Sequence, residues 1–404
     1  MRIFRFVLAL AALLLTLPAA AQEEDKSFLV SKIQDLLSGA GREVQIAGFQ
    51  GALSSQASFD RMTIADADGV WLTIEDVVLN WNRSALLRGR LEVTELSAAR
   101  IDLPRLPAGE EQTLPDAEAT PFTLPTLPDL PVAINIQAVT IAEVNLGAPV
   151  TGEAVQLALQ ANALLNDEGL DAEFTSQRTD GKRGAFDLTA TIARGEGALD
   201  VLLSLDEAED GLVSKLLNIP DRPSVNLTVR ADGTLDDVTT DINIDTDGQE
   251  RLAGQVQVVT QGDAGNPDRR IIADIGGDIT AVIVPQYRDF FGPDVRLTAD
   301  ALIEAGGGIA VDAFDLDAAA VDLSGRVRLS EEKWPSFIDI EGTVAQPGEG
   351  AVLLPGAGGA TVQHLLLNVD YDVENGDAYN AVFNVKGLKT DQAEVAQTIL
   401  RSTG

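Results

Sequence analysis

The chain has 404 residues, no cysteine, one histidine, and 63 acidic against 29 basic residues, a formal net charge of −34. That balance repels nucleic-acid phosphates, and the missing cysteine and solitary His364 exclude thiol nucleophiles, cysteine zinc clusters and multi-histidine metal sites. An apolar content of 45% is that of a folded protein, with length for about two to three domains.

Residues 1–21 read as a targeting segment. Arg2 and Arg5 precede the apolar run Phe6–Leu17, and Ala19-Ala20-Ala21 form a small-residue cleavage pattern. The expectation is a cleaved signal peptide, the alternative being an uncleaved inner-membrane anchor. Asp25 to about Gly39 then predicts a short amphipathic helix with Phe28, Leu29, Ile33, Leu36 and Leu37 on one face. Together with the first β-segments it makes a region spanning residues 22–103.

From Val44 onward the period changes to two, with hairpin signals at Asp68-Gly69, Asp180-Gly181, Asp232-Gly233, Asp247-Gly248 and Asn375-Gly376. Clear alternation runs through Phe186–Ile192, Val225–Arg230 and Ile242–Ile244. The expected fold is mainly β, an antiparallel sheet with a few short helices.

In the stretch DGVWLTIEDVVLNWN the alternation slips: Leu72 and Ile74 share one parity, and Val77, Leu79 and Trp81 the other. A bulge or bend near Glu75-Asp76 returns all five to one face. A similar slip recurs. Leu91, Val93, Leu96, Ile101 and Leu103 have the same spacing as Ile134, Ile136, Val139, Val144 and Leu146, with Met62, Ile64, Ala67, Leu72 and Ile74 a looser match. The spacing reads as a repeated unit in which each copy leans on its neighbours. Leu72, Ile74, Val77, Leu79, Trp81, Leu91, Val93, Ile134 and Ile136 are therefore the candidate residues of a groove or core.

Residues 104–131 hold seven of the seventeen prolines and read as a stiff linker or surface loop marking a boundary, after which residues 132–404 form a β-rich region. Two helical insertions are expected there. In DGLVSKLLNIPDRP, Leu212, Val213, Leu216 and Leu217 make one face. In PQYRDFFGPDV, Pro285 opens the helix, Tyr287, Phe290 and Phe291 make an aromatic face, and Gly292-Pro293 stops it. Each plugs the mouth or edge of a sheet or contacts a ligand or partner. A final short helix is expected from Thr390.

Chemistry is sparse in the rest of the sequence. His364, in VQHLLLNV, reads as a structural imidazole on a strand, and Gly356–Ala360 as a flexible loop. Asn243, Asp245, Asp247 and Gly248 imitate the start of a calcium loop, but Gly254 stands where a bidentate Glu is required, so a strand running into a hairpin turn is expected. No residue set proposes itself as catalytic, metal-binding or cofactor-binding, and the expectation is a non-enzyme.

Several segments, taken in order, resemble one family. VQIAGFQGALSSQASFDRMTIADADGVWLTIEDVVLNWN followed by RSALLRGRLEVTELSAARIDLPRLP, then LPVAINIQAVTIAEVNLGAPVTGEAVQL, SKLLNIPDRP, VPQYRDFFGP and AVDLSGRVRL are similar to the amino-terminal part of the TamB family, the translocation and assembly module subunit of the AsmA-like superfamily. The resemblance implies an elongated, curved, taco-like β-sheet whose concave side is an apolar groove. It implies a periplasmic location at the inner membrane of a Gram-negative bacterium. The implied work is protein secretion and outer-membrane protein assembly with a TamA/BamA-type barrel and client proteins, together with phospholipid transport between membranes. Members are usually longer, with a carboxy-terminal domain that docks with the barrel, and usually keep an amino-terminal anchor. The residues themselves describe an open apolar groove and a closed β-sandwich equally well, and pairing with client β-strands through sheet edges is the second functional reading.

Overall fold

The computed structural model describes residues 43–51, 54–108, 132–195, 197–262, 266–346, 348 and 350–404. The expected leader, the helix at 25–39 and most of the proline-rich stretch lie outside the described residues. The fold is mainly β with a few short helices, and it divides into two compact units between Lys182 and Arg183. Among the described residues no helix is long and apolar enough to cross a membrane.

The first unit is a sheet of seven strands in chain order: β1 (Glu43–Ala47), β2 (Gln56–Asp66), β3 (Gly69–Trp81), β4 (Arg90–Leu103), β5 (Ala133–Leu146), β6 (Val155–Leu165) and β7 (Gly169–Arg178). A one-turn helix α1 (Arg83–Leu86) joins β3 to β4, and α2 (Ala148–Thr151) joins β5 to β6. Every neighbouring pair is antiparallel except β4–β5, which is parallel along its whole length. A uniformly antiparallel sheet is thus corrected at one place. The residues on either side of 104–131 enter the same sheet, so the division between units falls some fifty residues after that stretch, at Lys182/Arg183. The chain leaving β4 is tied back: the Arg105 guanidinium donates to both Asp66 carboxylate oxygens (2.5 and 2.9 Å), and the Ala108 amide donates to the same carboxylate (2.7 Å). Those donors hold the Asp66 carboxyl well below the usual carboxylate range.

The second unit is an antiparallel meander. Its strands are β8 (Gly184–Ala193), β9 (Ala198–Glu207), β10 (Val225–Thr234), β11 (Asp237–Thr246), β12 (Gln249–Gln261), β13 (Asp268–Gly277), β14 (Val295–Ile303), β15 (Ile309–Ala318), β16 (Val321–Leu329) and β17 (Pro335–Ala345). A small hairpin of β18 (Val352–Leu353) and β19 (Thr361–Val362) follows, then β20 (His364–Asp372), β21 (Ala378–Lys389) and β22 (Glu394–Thr403). β20 pairs with β17, and β19 touches β21. Asp247 and Gly248 form a tight turn with φ of 52° and 72°, so the calcium-like string is the end of β11 running into a hairpin. Asp232-Gly233, expected as a turn, lies inside β10, opposite Thr239 and Val238, and the turn falls three residues later at Leu235-Asp236.

Helices occupy one end of these strands. α3 (Leu212–Leu216) follows β9. The buried Glu207 carboxylate accepts from the Val213 amide (2.8 Å), satisfying one of the first-turn donors. Its buried side is Ser214 with Ile219 beyond, whereas Leu216 and Leu217, expected inward, are exposed, because five residues make little more than one turn. The second insertion starts with a 3-10 turn at Pro285 and continues as α4 (Arg288–Phe291), ended by Gly292 at φ 67°. Phe290 enters the main buried cluster with Val295, Ala320, Val321, Val344, Val352, Val362 and Val385.

The chain's last element corrects an expectation. Residues 394–403 form strand β22 instead of a helix, paired with β21 from Asn380↔Thr403 to Lys389↔Glu394. Thr390, which resembled a helix N-cap, makes a turn: its hydroxyl accepts from the Ala393 amide (3.1 Å) and its own amide donates to the Ala393 carbonyl (2.8 Å). The chain reverses there.

Candidate functional site

The first unit gathers apolar side chains on one face by breaking the alternation. On β4 the sequence of inward positions is Leu91, Val93, then Leu96, Ala98, then Ile101, Leu103. On β5 it is Ile134, Ile136, then Val139, Ile141, then Val144, Leu146. These twelve residues are register partners, one to one, across the parallel pair. The two strands that looked like copies of a unit lie side by side and share each irregularity, and Ala98 and Ile141 supply the sixth pair that the spacing had not revealed.

β6 shows why the breaks exist. Its inward residues alternate without interruption: Val155, Leu157, Leu159, Ala161, Ala163, Leu165. They face Leu146, Val144, Ile141, Val139, Ile136 and Ile134, and the register slips by one residue at each break of β5. Each slip is a β-bulge, which adds a residue and bends the strand. Two bulges thus keep six apolar residues of β5 against six of β6.

One break crosses four strands in step. Asp60-Arg61 on β2, Glu75-Asp76 on β3, Ala99-Arg100 on β4 and Ala142-Glu143 on β5 all stand where two successive side chains turn away from the apolar face. Asp76 has φ 51°, a conformation Asp tolerates better than β-branched residues. On the outer side of this line runs a row of alternating charge. Arg61 pairs with Glu75 (3.7 Å), Glu75 with Arg100 (3.9 Å) and Arg100 with Glu143 (2.9 Å). Glu143 also accepts from Asn145 (2.8 Å), and that hydrogen bond first, then the Arg100 charge, holds its carboxyl below the ordinary range despite some desolvation.

The candidate residues are all placed by this register. Leu72 and Ile74 face Ile64 and Met62 of β2, Val77 faces Phe59, and Leu79 faces Ala57. Ile74, Leu79 and Trp81 face Ile101, Leu96 and Val93 of β4. Leu91, Val93, Ile134 and Ile136 continue the row. The strict alternation of VQLALQANALL was a signal for β6 that the nine candidates did not use.

Burial along β6 is inverted relative to a closed sandwich, whose strand centres are the driest positions, whereas β3 and β4 keep Val77, Val93 and Ala98 buried within their rows. On β6 the ends, Val155 and Leu165, are 3% and 8% exposed, while Leu157, Leu159, Ala161 and Ala163 between them are half-buried. The second unit repeats this. On β9, Leu199 and Glu207 near the ends are buried and Val201, Leu203 and Leu205 are half-buried; on β11 the same holds for Val238 and Thr246 against Thr240, Ile242 and Ile244. One face of this unit is also apolar from strand to strand, as in Leu188↔Leu203, Leu203↔Val229 and Val229↔Ile242.

The opposite face carries the charge. Arg230–Asp200, Arg296–Asp274 and Arg270–Asp300 are ion pairs between neighbouring strands. The hydrogen bond from Arg296 holds Asp274 below its ordinary range. His364 opens β20 on the side away from Leu365, half-buried opposite Lys386 and Ala345. Among the described residues no group of His, Asp and Glu is arranged to hold a metal ion. The arrangement offers apolar area on one side and hydrated charge on the other, a surface suited to holding acyl chains. Comparison of the chain with family models, curated proteins and solved structures found no match in any of the three.

Proposed function

We propose that this chain is a TamB-like envelope factor that shields lipid acyl chains on the apolar face of its sheets, and in that role serves transport of phospholipid and assembly of outer-membrane proteins with a TamA/BamA-type barrel. The observation that carries the reading is the half-buried state of the centres of β5, β6, β9 and β11 on apolar faces, with β5 and β6 as the best-defined part. Moving an acyl chain through water exposes about 0.8 kcal/mol per methylene, on the order of 12 kcal/mol for a sixteen-carbon tail. An apolar trough lowers that barrier by contact alone, so the mechanism needs no nucleophile, acid or cofactor. The bulges bend β5 while keeping its apolar residues inward, and the acidic outer face keeps the body soluble.

The test is native mass spectrometry of the gently purified chain. Phospholipid bound in near-stoichiometric amount, and lost in Leu159→Glu, supports the reading. A lipid-free monomer that takes up no phospholipid from vesicles refutes it.

A second reading, pairing with client strands, is favoured by β22. This ten-residue strand pairs with β21, and its Ile399 and Leu400 are 51% and 58% exposed, with no proline or lysine to blunt the edge. Ile399→Lys with Leu400→Lys abolishes client capture on this reading and leaves bound lipid unchanged.

A further inference from the structure

The apolar rows of β3 and β4 meet at the connection Asn82-Arg83-Ser84-Ala85-Leu86-Leu87-Arg88-Gly89-Arg90. In a chain with more than two acids per base, these nine residues hold three arginines and no acid. Arg83, Arg88 and Arg90 are all exposed, and Leu87 between them is 85% exposed. Arg90 leans on Glu92 (3.3 Å), whereas neither Arg83 nor Arg88 has a carboxylate partner among the described residues.

The loop is built, and built rigidly. Ala85 is fully buried beneath it, and the Ala85, Arg88 and Gly89 amides donate to the Asn82, Ala85 and Leu86 carbonyls at 3.1, 2.9 and 3.0 Å. The Asn82 side chain donates to Glu92 (2.8 Å) and accepts from the Ser84 hydroxyl (2.8 Å), and Gly89 turns the chain into β4 at φ 68°. A large apolar side chain held outward by a braced turn gains nothing from water. Among arginines it fits a surface that is anionic outside and apolar just below.

We infer that this loop docks the protein on an anionic phospholipid bilayer, with Arg83 and Arg88 on lipid phosphates and Leu87 in the boundary between headgroups and acyl chains. Arginine presents a planar fork to phosphate oxygens, and an interfacial apolar side chain adds to electrostatic attraction. The overall charge of −34 opposes approach, but beyond about 10 Å it is screened at near-physiological salt, and the local charge decides contact. Trp81 before the loop and Leu91 after it both lie on the apolar face. The further step, that lipid enters the trough at this end, rests on the function proposed above.

The experiment is flotation of the full chain with phosphatidylcholine vesicles, with and without a minority of phosphatidylglycerol, at near-physiological salt. The wild-type chain binds the anionic vesicles better. Arg83→Glu with Arg88→Glu weakens that binding by at least about 30-fold, since each basic residue at such a surface is worth about 1 kcal/mol. Leu87→Asp weakens binding to both vesicle types. Arg401→Glu with Lys389→Glu, the same charge change on exposed positions of the second unit, leaves it unchanged. Should the glutamate pair melt early, Arg83→Gln with Arg88→Gln gives the smaller loss on an intact fold. Equal binding to neutral and anionic vesicles, or undiminished binding by the arginine variants, overturns the inference. So does release by millimolar inorganic phosphate, which marks a free-anion site, or binding to polyglutamate with none to vesicles, which marks an acidic protein partner. Bound lipid, measured on the same samples, separates the two proposals: a variant that keeps its lipid but no longer floats locates docking here with the trough intact, and a lipid-free wild-type chain that floats keeps docking and removes the trough.

Discussion

The two units reach the same kind of face by different routes. The first bends its strands: β5 takes two bulges against β6, a break crosses β2 to β5 in step, and a row of charges runs along its outer side. The second is antiparallel throughout, takes single register slips in β11–β12, β14–β15, β15–β16 and β16–β17, and adds a packed cluster around Phe290, Val344, Val352 and Val362. The lesson is that an apolar surface and a dry core are separable properties. In the first unit the β5 and β6 rows stay largely half-buried beside buried Val77, Val93 and Ala98, and in the second a compact cluster accompanies strands such as β9 and β11 whose centres stay half-buried.

That contrast can be broken most directly in the second unit's core. Phe290→Ala should cost about 3–5 kcal/mol, because the ring leaves a cavity in a packed site. Leu159→Ala in the first unit should cost only about 1 kcal/mol, since a half-buried leucine has less transfer energy to lose. Urea unfolding of both variants checks this, and equal losses would mean that the first unit's rows are a closed core.

The break in β3 gives the next largest effect. Asp76→Val forces a β-branched residue into φ 51° and should destabilise the first unit by about 1–2 kcal/mol, while Asp76→Gly should be close to neutral. If both variants melt like wild type, the bend does not depend on this residue.

The charge row is a finer feature. Its members are partly exposed, so Glu75→Ala should cost less than about 1 kcal/mol. Adding Arg100→Ala also removes its pair with Glu143, so the double variant should fall short of additivity only by the shared Glu75–Arg100 contact. A double-mutant cycle that shows strict additivity removes the row from the account.

Acid should act on both units most gently of all. Asp66, Glu143 and Asp180 in the first unit and Asp274 and Asp278 in the second have carboxyls held below their ordinary range by hydrogen-bond donors. Their folded values lie below the unfolded ones, so their stabilisation is fully present above the unfolded values, about 4, and is lost as pH falls through the depressed folded values. Thermal melts should be flat between about pH 7 and 5 and fall below about 4; a steep loss near neutrality would point to a different titrating group.

Much of this was legible in the sequence where side chains alternate or slip. The parity change between Ile74 and Val77 located the break at Glu75-Asp76, and matched spacing found β4 and β5. What the spacing could not say was that the matching strands are parallel neighbours, because strand direction depends on the connection as well as on the pattern. Leu216 and Leu217 misled because a helix of one turn has no stable inner face. Thr390 misled because the same hydroxyl can cap a helix or close a turn, and the partner strand β21 decides. The arginines at 83, 88 and 90 were visible in the sequence but mute, since nothing there shows that Leu87 stands outward between them.

The inward spacing of β4, from Leu91 and Val93 through Leu96 and Ala98 to Ile101 and Leu103, reads the same from either end: two, three, two, three, two. It is a palindrome: parallel β5 shares both of its bends, and antiparallel β3 shares the one between Ala98 and Ile101 and takes the other as a register slip between Asn80 and Trp81. Antiparallel β3 meets it with Ile74 on Ile101 and Leu79 on Leu96, and parallel β5 meets it with Val144 on Ile101 and Val139 on Leu96. The side chains of the bend between Ala98 and Ile101 leave polarity open, and there the strand accepts a neighbour arriving from either direction.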